Sequence, residues 1–432
     1  MKMHTLLAAL ALVVAGFSEA SARRWSDATG KYHVEADLLE VSGEKVRLKA
    51  SDGRIIDVPI DRLSAADRQY LDSLRQSAKA VAPGEGIEKA LATPTDFEFI
   101  ATPLDQVLEY VKERHNIPFY LDERSLREAG ISADKTVDAN LKGKPLAEAL
   151  DSALDPMGAA WTVRHEVLFI TSKQRASSLL ETRVYKLQRV SNPNALVAEI
   201  QRTIAAESQK GGGAPGAVKP LLPDLLVILQ SYRVHRQLAG KYRAQMHCVS
   251  SAEENTSRQV QGIPAKLLKA LQQPTRCQFI ETPLEQVFKW LKNQHSVPIE
   301  IDVRGLADQR LSVKTPVTLN LQGIRLESLL SLMTEQLGLA WVVRDGVLMI
   351  TSPEEADGNL LMCQYDVRDL MPVLKGPSPL MELLTSTVRP ASWRGRGSAT
   401  VAPGKLVIMQ TFQTQLEIQR VLNDMRQARK RR

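Results

Sequence analysis

The strongest constraint on this chain is that it contains itself twice. The stretch FIATPLDQVLEYVKERHNIPFYLD begins at Phe99, and FIETPLEQVFKWLKNQHSVPIEID begins at Phe279, 180 positions later. The offset holds without a gap for Pro103 and Pro283, His115 and His295, Asp122 and Asp302, Asn140 and Asn320, and Gly143 and Gly323. It continues through Trp161 and Trp341, Thr171-Ser172 and Thr351-Ser352, and Tyr185 and Tyr365. Self-similarity at a fixed period means one folding unit used twice, so any fold assigned to the first copy must also suit the second.

The first half of each copy, 96–175 and 275–354, reads β-α-β-β-α-β-β. Thr102 caps a helix with Pro103 in its first turn, and Leu104, Val107, Leu108 and Val111 recur at helical spacing. Asn116 and Pro118 end that helix, and a strand closes at Asp122. Val137 to Leu141 is a further strand, and Leu146 to Leu154 the second helix. Trp161 to Arg164 and Val167 to Ile170 form a hairpin around His165-Glu166, where the second copy has Asp345-Gly346. The second half, 181–248 and 360–428, reads β-α-β-β-α. Lys210 to Gly216 leaves the central hairpin of the first copy open to question.

Ahead of the repeats, 23–76 form a small β-domain. Val34 to Leu39 and Lys45 to Lys49 alternate with period two. Asp52-Gly53 is a hairpin turn, and Ser64 with Asp67 forms a capping box. The stretches 77–95 and 249–274 read as linkers. The architecture expected is multi-domain α+β, a small barrel followed by duplicated βαββαββ and βαββα modules.

Three resemblances follow. The string RRWSDATGKYHVEADLLEV…GEKVRLKASDGRIIDVPIDRLSAADRQYL resembles the first homology domain of the endocytic adaptor Sla family. That resemblance implies an SH3-like barrel that binds short peptide signals, in a family with cytoskeletal-protein, ubiquitin and self-association roles. The pattern T-P-L-x-x-V, N-L-x-G, G-L-x-W and a closing hairpin resembles the short N-terminal domain of secretins and TonB-dependent transducers. The second half of each copy is similar to the KH-like ring-building domain of secretins, best at Trp393…Gly395…Gly397. No barrel-forming segment accompanies these domains, so docking rather than conduction is implied, with self-association open to domains of ring type.

The N-terminus sets the expected compartment. Lys2, an apolar run from Thr5 to Phe17, and Ala20-Ser21-Ala22 have the form of a signal peptide cleaved after Ala22. Periplasmic or extracellular location is expected, with no transmembrane segment. The net charge is +7 and the pI about 9.2. Arg426, Arg429, Lys430, Arg431 and Arg432 are either a solvated helix tail or a peripheral contact with anionic envelope material. Three cysteines, Cys248, Cys277 and Cys363, make no disulfide framework.

Catalytic patterns are missing from the sequence. There is no His-Glu-x-x-His, no Gly-Lys-Ser/Thr after the glycines at 211–216, and no Gly-x-Ser-x-Gly. No KH-type Gly-x-x-Gly loop joins two helices, so nucleic acid is not expected as a partner. Neither an enzymatic activity nor a cofactor or metal is expected. His115 and His295 sit at helix C-termini, where an imidazole can meet orphan carbonyls. Asp122 and Asp302 cap the turns after them. Trp161, Trp341 and Trp393 read as core, with polysaccharide stacking the alternative. The candidate binding residues are Trp25, Lys45, Arg47, Lys49 and Arg54. Trp25 either closes the barrel or lines a peptide groove beside four basic side chains on one strand face.

Overall fold

The computed structural model describes residues 11–13, 23–29, 32–42, 45–50, 54–71, 85–211, 216–221, 224–249, 263–371 and 376–430. The Asp52-Gly53 turn, most of the leader and Arg431-Arg432 lie outside these residues.

In the N-terminal domain, β1 (Ala11–Val13), β2 (Arg23–Ser26), β3 (His33–Ser42), β4 (Lys45–Ala50) and β5 (Ile55–Pro59) form one antiparallel sheet. Its order is β1-β3-β4-β5, with β2 pairing the other half of β3. No closed barrel forms among the described residues, contrary to the expected SH3-like closure. After β5 the chain turns through Ile60–Arg62 and returns to β2 by a lone bridge, Asp27 to Leu63. One bridge cannot replace a strand ladder, so the sheet stays open. Helix α1 (65–71) packs on it through Leu71.

The first repeat opens earlier than its sequence suggests. Helix α2 (Glu85–Leu91) lies inside the expected linker and buries Ile87, Ala90 and Leu91 in the module core. Its counterpart α9 (Ala265–Leu271) buries Leu267, Leu268, Ala270 and Leu271. The 180-residue offset already runs through Lys89-Ala90-Leu91 and Lys269-Ala270-Leu271, so the duplication itself marked these helices.

Beyond α2 come β6 (Glu98–Pro103), α3 (Leu104–His115), β7 (Phe119–Leu121), α4 (Glu123–Glu128), β8 (Thr136–Asn140), α5 (Leu146–Leu154), β9 (Ala159–Arg164), β10 (Val167–Ser172) and α6 (Lys173–Ser178). The second copy repeats them as β15 (Pro274–Pro283), α10 (Leu284–His295), β16 (Ile299–Ile301), α11 (Val303–Asp308), β17 (Pro316–Arg325), α12 (Leu326–Leu337), β18 (Ala340–Arg344), β19 (Val347–Thr351) and α13 (Pro353–Gly358). Each copy holds a bulged antiparallel pair and a three-stranded sheet whose central strand, β10 or β19, has one parallel and one antiparallel neighbour. Thr102 does not cap α3; Pro103 occupies that place. The helices α4 and α11 were not expected, although their caps were. Asp122 accepts from Ser125 N and Thr171 Oγ1, and Asp302 from Arg304 N and Thr351 Oγ1. Asn116 ends α3 in the left-handed region, at φ 50°.

The second half of copy one comprises β11 (Leu180–Leu187), α7 (Pro193–Gly211), β12 (Ala217–Leu221), β13 (Leu225–Ser231), α8 (Tyr232–Lys241) and β14 (Met246–Val249), with sheet order β12-β13-β11-β14. The central hairpin is therefore present in this copy too. Copy two has β20 (Leu360–Asp366), α14 (Ser378–Thr387), β21 (Ser398–Ala402), β22 (Lys405–Thr411) and α15 (Phe412–Lys430), with order β20-β22-β21.

The two copies form a continuous stack. One face of the first sheet (Tyr185, Leu226, Ile228) packs on α7 and α8, while Val184, Leu225 and Val227 on the other face pack with Leu383, Leu384, Val421 and Met425 of α14 and α15. The same two helices also cover Leu406 and Ile408 of the second sheet. Polar contacts cross the seam: Lys186 Nζ donates to Ala428 O at 2.7 Å, and Lys219 meets Glu382 at 2.6 Å.

A second seam joins the first halves. In the β9–β10 turn, His165 and Glu166 both have positive φ, 50° and 61°, a conformation that strains any residue with a Cβ. The second copy places Gly346 there. Glu166 is kept because its carboxylate accepts from the backbone N–H of Arg325 at 2.6 Å and from the Arg325 guanidinium. Arg325 immediately precedes α12, whose first N–H groups have no helical acceptor. Glu335 receives Arg175 at 2.5 Å in the same seam. With side-chain exposures of 12% and 7%, Arg325 and Glu166 form a buried ion pair. Removing one partner strands the other charge, so Glu166→Ala should lower unfolding stability by about 3–5 kcal/mol. Urea unfolding of the single variants and of the Glu166→Ala/Arg325→Met double variant tests this; the double variant should recover part of the loss.

Candidate protein-binding face of the N-terminal domain

Trp25 is a core residue. It is 1% exposed, its Nε1 donates to Ala36 O at 2.9 Å, and its ring meets Tyr70 edge-on at 5.9 Å. With Val46, Leu48, Leu63 and Leu71 it forms the small core. Its indole thus has no open groove surface, and the groove-lining reading of Trp25 is corrected. The strand alternates for a simple reason. Val46, Leu48 and Ala50 point into that core, so Lys45 and Arg47 are exposed.

The helix is tied to the same core. Ser64 Oγ donates to Asp67 Oδ2 at 2.7 Å, and Asp67 N donates back to Ser64 Oγ at 3.1 Å. Asp67, only 3% exposed, also accepts from Ser26 N at 2.9 Å, pinning β2 to α1. Asp27 organises the following turn, taking Thr29 Oγ1 at 2.5 Å and Tyr32 N at 3.0 Å. Tyr32 is 76% exposed beside it.

The basic strand is more balanced than its sequence suggests. Arg47 lies opposite Asp57 of β5 and binds it at 2.9 Å. The Arg47 guanidinium holds the Asp57 carboxyl below its ordinary value. Lys49 lies opposite Asp37 in the β3–β4 register. Arg47 therefore has an acid across the ladder, the arrangement that stabilises cross-strand pairs. Lys45 and Arg54 are exposed at the two ends of this hairpin. Asp57 was visible in the sequence, but its register opposite Arg47 was not. The face is a mixed-charge strip beside β5, whose far edge has no strand partner among the described residues.

Elsewhere, the tryptophans of the repeats are joints rather than platforms. Trp161, 4% exposed, donates to Asp151 at 2.8 Å and lies under the Arg236 guanidinium at 4.4 Å. Arg236 also binds Asp151 at 3.0 Å. In copy two, Trp341 donates to Ser331 at 3.1 Å and meets Phe412. Trp393 is part-buried and donates to Val388 O. Neither repeat histidine meets a helix carbonyl as expected. His295 bonds Thr275 Oγ1 at 3.0 Å and Gln273 Oε1 at 3.2 Å, and His115 Nε2 is buried without a partner among the described residues. No cluster of metal-ligating side chains occurs among the described residues. Cys277 and Cys363 are buried and Cys248 is exposed, all as free thiols. Arg426 is engaged with Asp369 at 2.8 Å, and Arg429, exposed like Lys430, donates to Asp369 O.

Two predictions follow from this chemistry. Trp25→Ala should cost about 3–5 kcal/mol, while Arg47→Ala should change stability by less than ~1 kcal/mol because its pair is half exposed; thermal melts of both variants decide this. Burial lowers His295 to about 4 and His235 to about 3, from the ordinary 6.5. Both are neutral in the fold, so stability is retained above pH 6.5 and lost as the unfolded chain takes up protons below it. The loss should run from pH 6.5 down through about 4 for His295. In His295→Gln, denaturant midpoints should fall less steeply across that window.

No curated protein matches the chain. Residues 18–78, which include β2 to β5 and the helix packed around Trp25, match the family model of SLA1 homology domain 1, a protein-interaction domain.

Proposed function

We propose that this protein is an exported, non-catalytic adaptor. Its N-terminal domain recruits a peptide or protein partner, and its duplicated body acts as the scaffold that carries it. The family match over residues 18–78 carries this reading. The mixed-charge strip of Lys45, Arg47, Asp57 and Arg54, next to an open strand edge, suits an extended segment that adds to the sheet and offers alternating charges. Export is supported by the form of residues 1–22. No described helix is long and apolar enough to cross a membrane. The resemblance of the repeats to secretin docking domains supports a scaffold role and would also suit an accessory of a secretion apparatus. Polysaccharide stacking loses support, since Trp161 and Trp341 are buried.

The test is capture from envelope extract by the immobilised full chain and by the Lys45→Glu/Arg54→Glu variant, with circular dichroism checking that both fold. Specific proteins held by the wild type and reduced at least tenfold by the variant support recruitment at this strip. Equal capture by both moves recruitment to the repeats, and no capture by either ends the adaptor reading.

A further inference from the structure

The two copies differ at one sheet edge. In copy one, β14 pairs antiparallel with β11, placing Val249 opposite Val184 and His247 opposite Lys186. In copy two, β20 pairs with β22 alone among the described residues, so the equivalent edge is open. The backbone phase is fixed by neighbouring bonds. Leu187 N donates to Asp224 O, and Gln188 N donates to Gln245 O across the β14 side, so even-numbered residues of β11 face β14. Val367 N donates to Gly404 O, so the odd-numbered residues of β20 bond β22. Leu360, Met362 and Gln364 therefore turn their N–H and C=O groups toward the open edge. Asp366 would too, but its carbonyl accepts from Arg426 at 2.7 Å, which ends this stretch.

Exposed edges are usually blocked by proline, lysine, a bulge or short length. This chain does so at several of its edges. Strand β12 carries Lys219 and Pro220, β7 and β16 have three residues each, and β15 has Pro274, Pro283 and bulges. Strand β20 runs seven residues, LLMCQYD, in unbroken register with no proline or lysine. Beside its edge Met362 is 57% exposed and its cross-strand neighbour Met409 41%.

We propose that this edge is a self-association site, at which β20 pairs antiparallel with β20 of a second copy of the chain. Three features select that occupant. The stretch Leu360–Gln364 is uncharged, so antiparallel self-pairing centred on Cys363 brings Met362 against Gln364 in both directions with no like charges opposed. Each Asp366 then lies across from Leu360, at opposite ends of the pair. The added strand would lie on the same side of its sheet as β14 does in copy one, shifted toward the start of the strand, since β14 pairs with Val184–Leu187 and their counterparts are Gln364–Val367. A two-fold axis through such a pair closes the assembly at a dimer. This contact is separate from recruitment by the N-terminal domain, and neither result decides the other.

The full chain should sediment as a dimer at about 200 µM and dissociate on dilution, as a short interface requires. Gln364→Pro removes an outward N–H at a position where proline is tolerated in an edge strand. That variant should remain monomeric at the same concentration with an unchanged circular dichroism spectrum. Hydrogen exchange of the wild type gives a reading that needs no variant: the Met362 and Gln364 amides should be protected at least tenfold more at high than at low concentration. A wild-type monomer at about 200 µM, a dimer that persists in a folded Gln364→Pro chain, or concentration-independent exchange at these amides would overturn the proposal.

Discussion

The structure depends on two helices that serve two sheets at once. Helices α14 and α15 cover the β20–β22 sheet and, on their other side, an apolar face of the β11–β14 sheet. A sheet with both faces apolar cannot stand in water, so copy one is complete only with copy two in place. The buried Lys186 ammonium is accommodated by the same arrangement, since it donates to Ala428 O of α15. The Glu166–Arg325 pair fixes the first halves in the matching relation.

Much of this was legible from periodicity. The strand alternation of Val46 and Leu48, the apolar stripe of α3, and the caps at Asp122 and Asp302 follow from local rules and recur in both copies. The short helices α4 and α11 escaped notice because six residues give too little period to read. The linker assignment failed at α2 and α9 for a different reason. A composition rich in Ala, Pro and Gly suggested an open chain, while burial of Ile87, Leu91, Leu267 and Leu271 is a tertiary effect. At the candidate face, Trp25 could be either core or groove from sequence alone, since an indole fills both. The pairing of Arg47 with Asp57 depended on register, which the turn between their strands sets.

The copies have also diverged in chemistry at equivalent joints. Around Trp161 the contacts are ionic, with Asp151 and Arg236 on the ring. Around Trp341 the same places hold Ser331 and Leu416, with Phe412 against the indole. The first joint is screened by salt and the second is not. The repeat therefore preserved a shape and changed the forces that hold it.

The shared helical layer has a consequence for how the protein is made. Lys186 waits for a carbonyl 242 residues further along the chain. During vectorial synthesis, the β11–β14 sheet emerges with one face uncovered and keeps it so until α15 arrives. Contacts of such sequence separation are slow to form. For that interval the chain displays a sticky surface, and a chaperone holding the nascent chain would find its natural target on Val184, Leu225 and Val227.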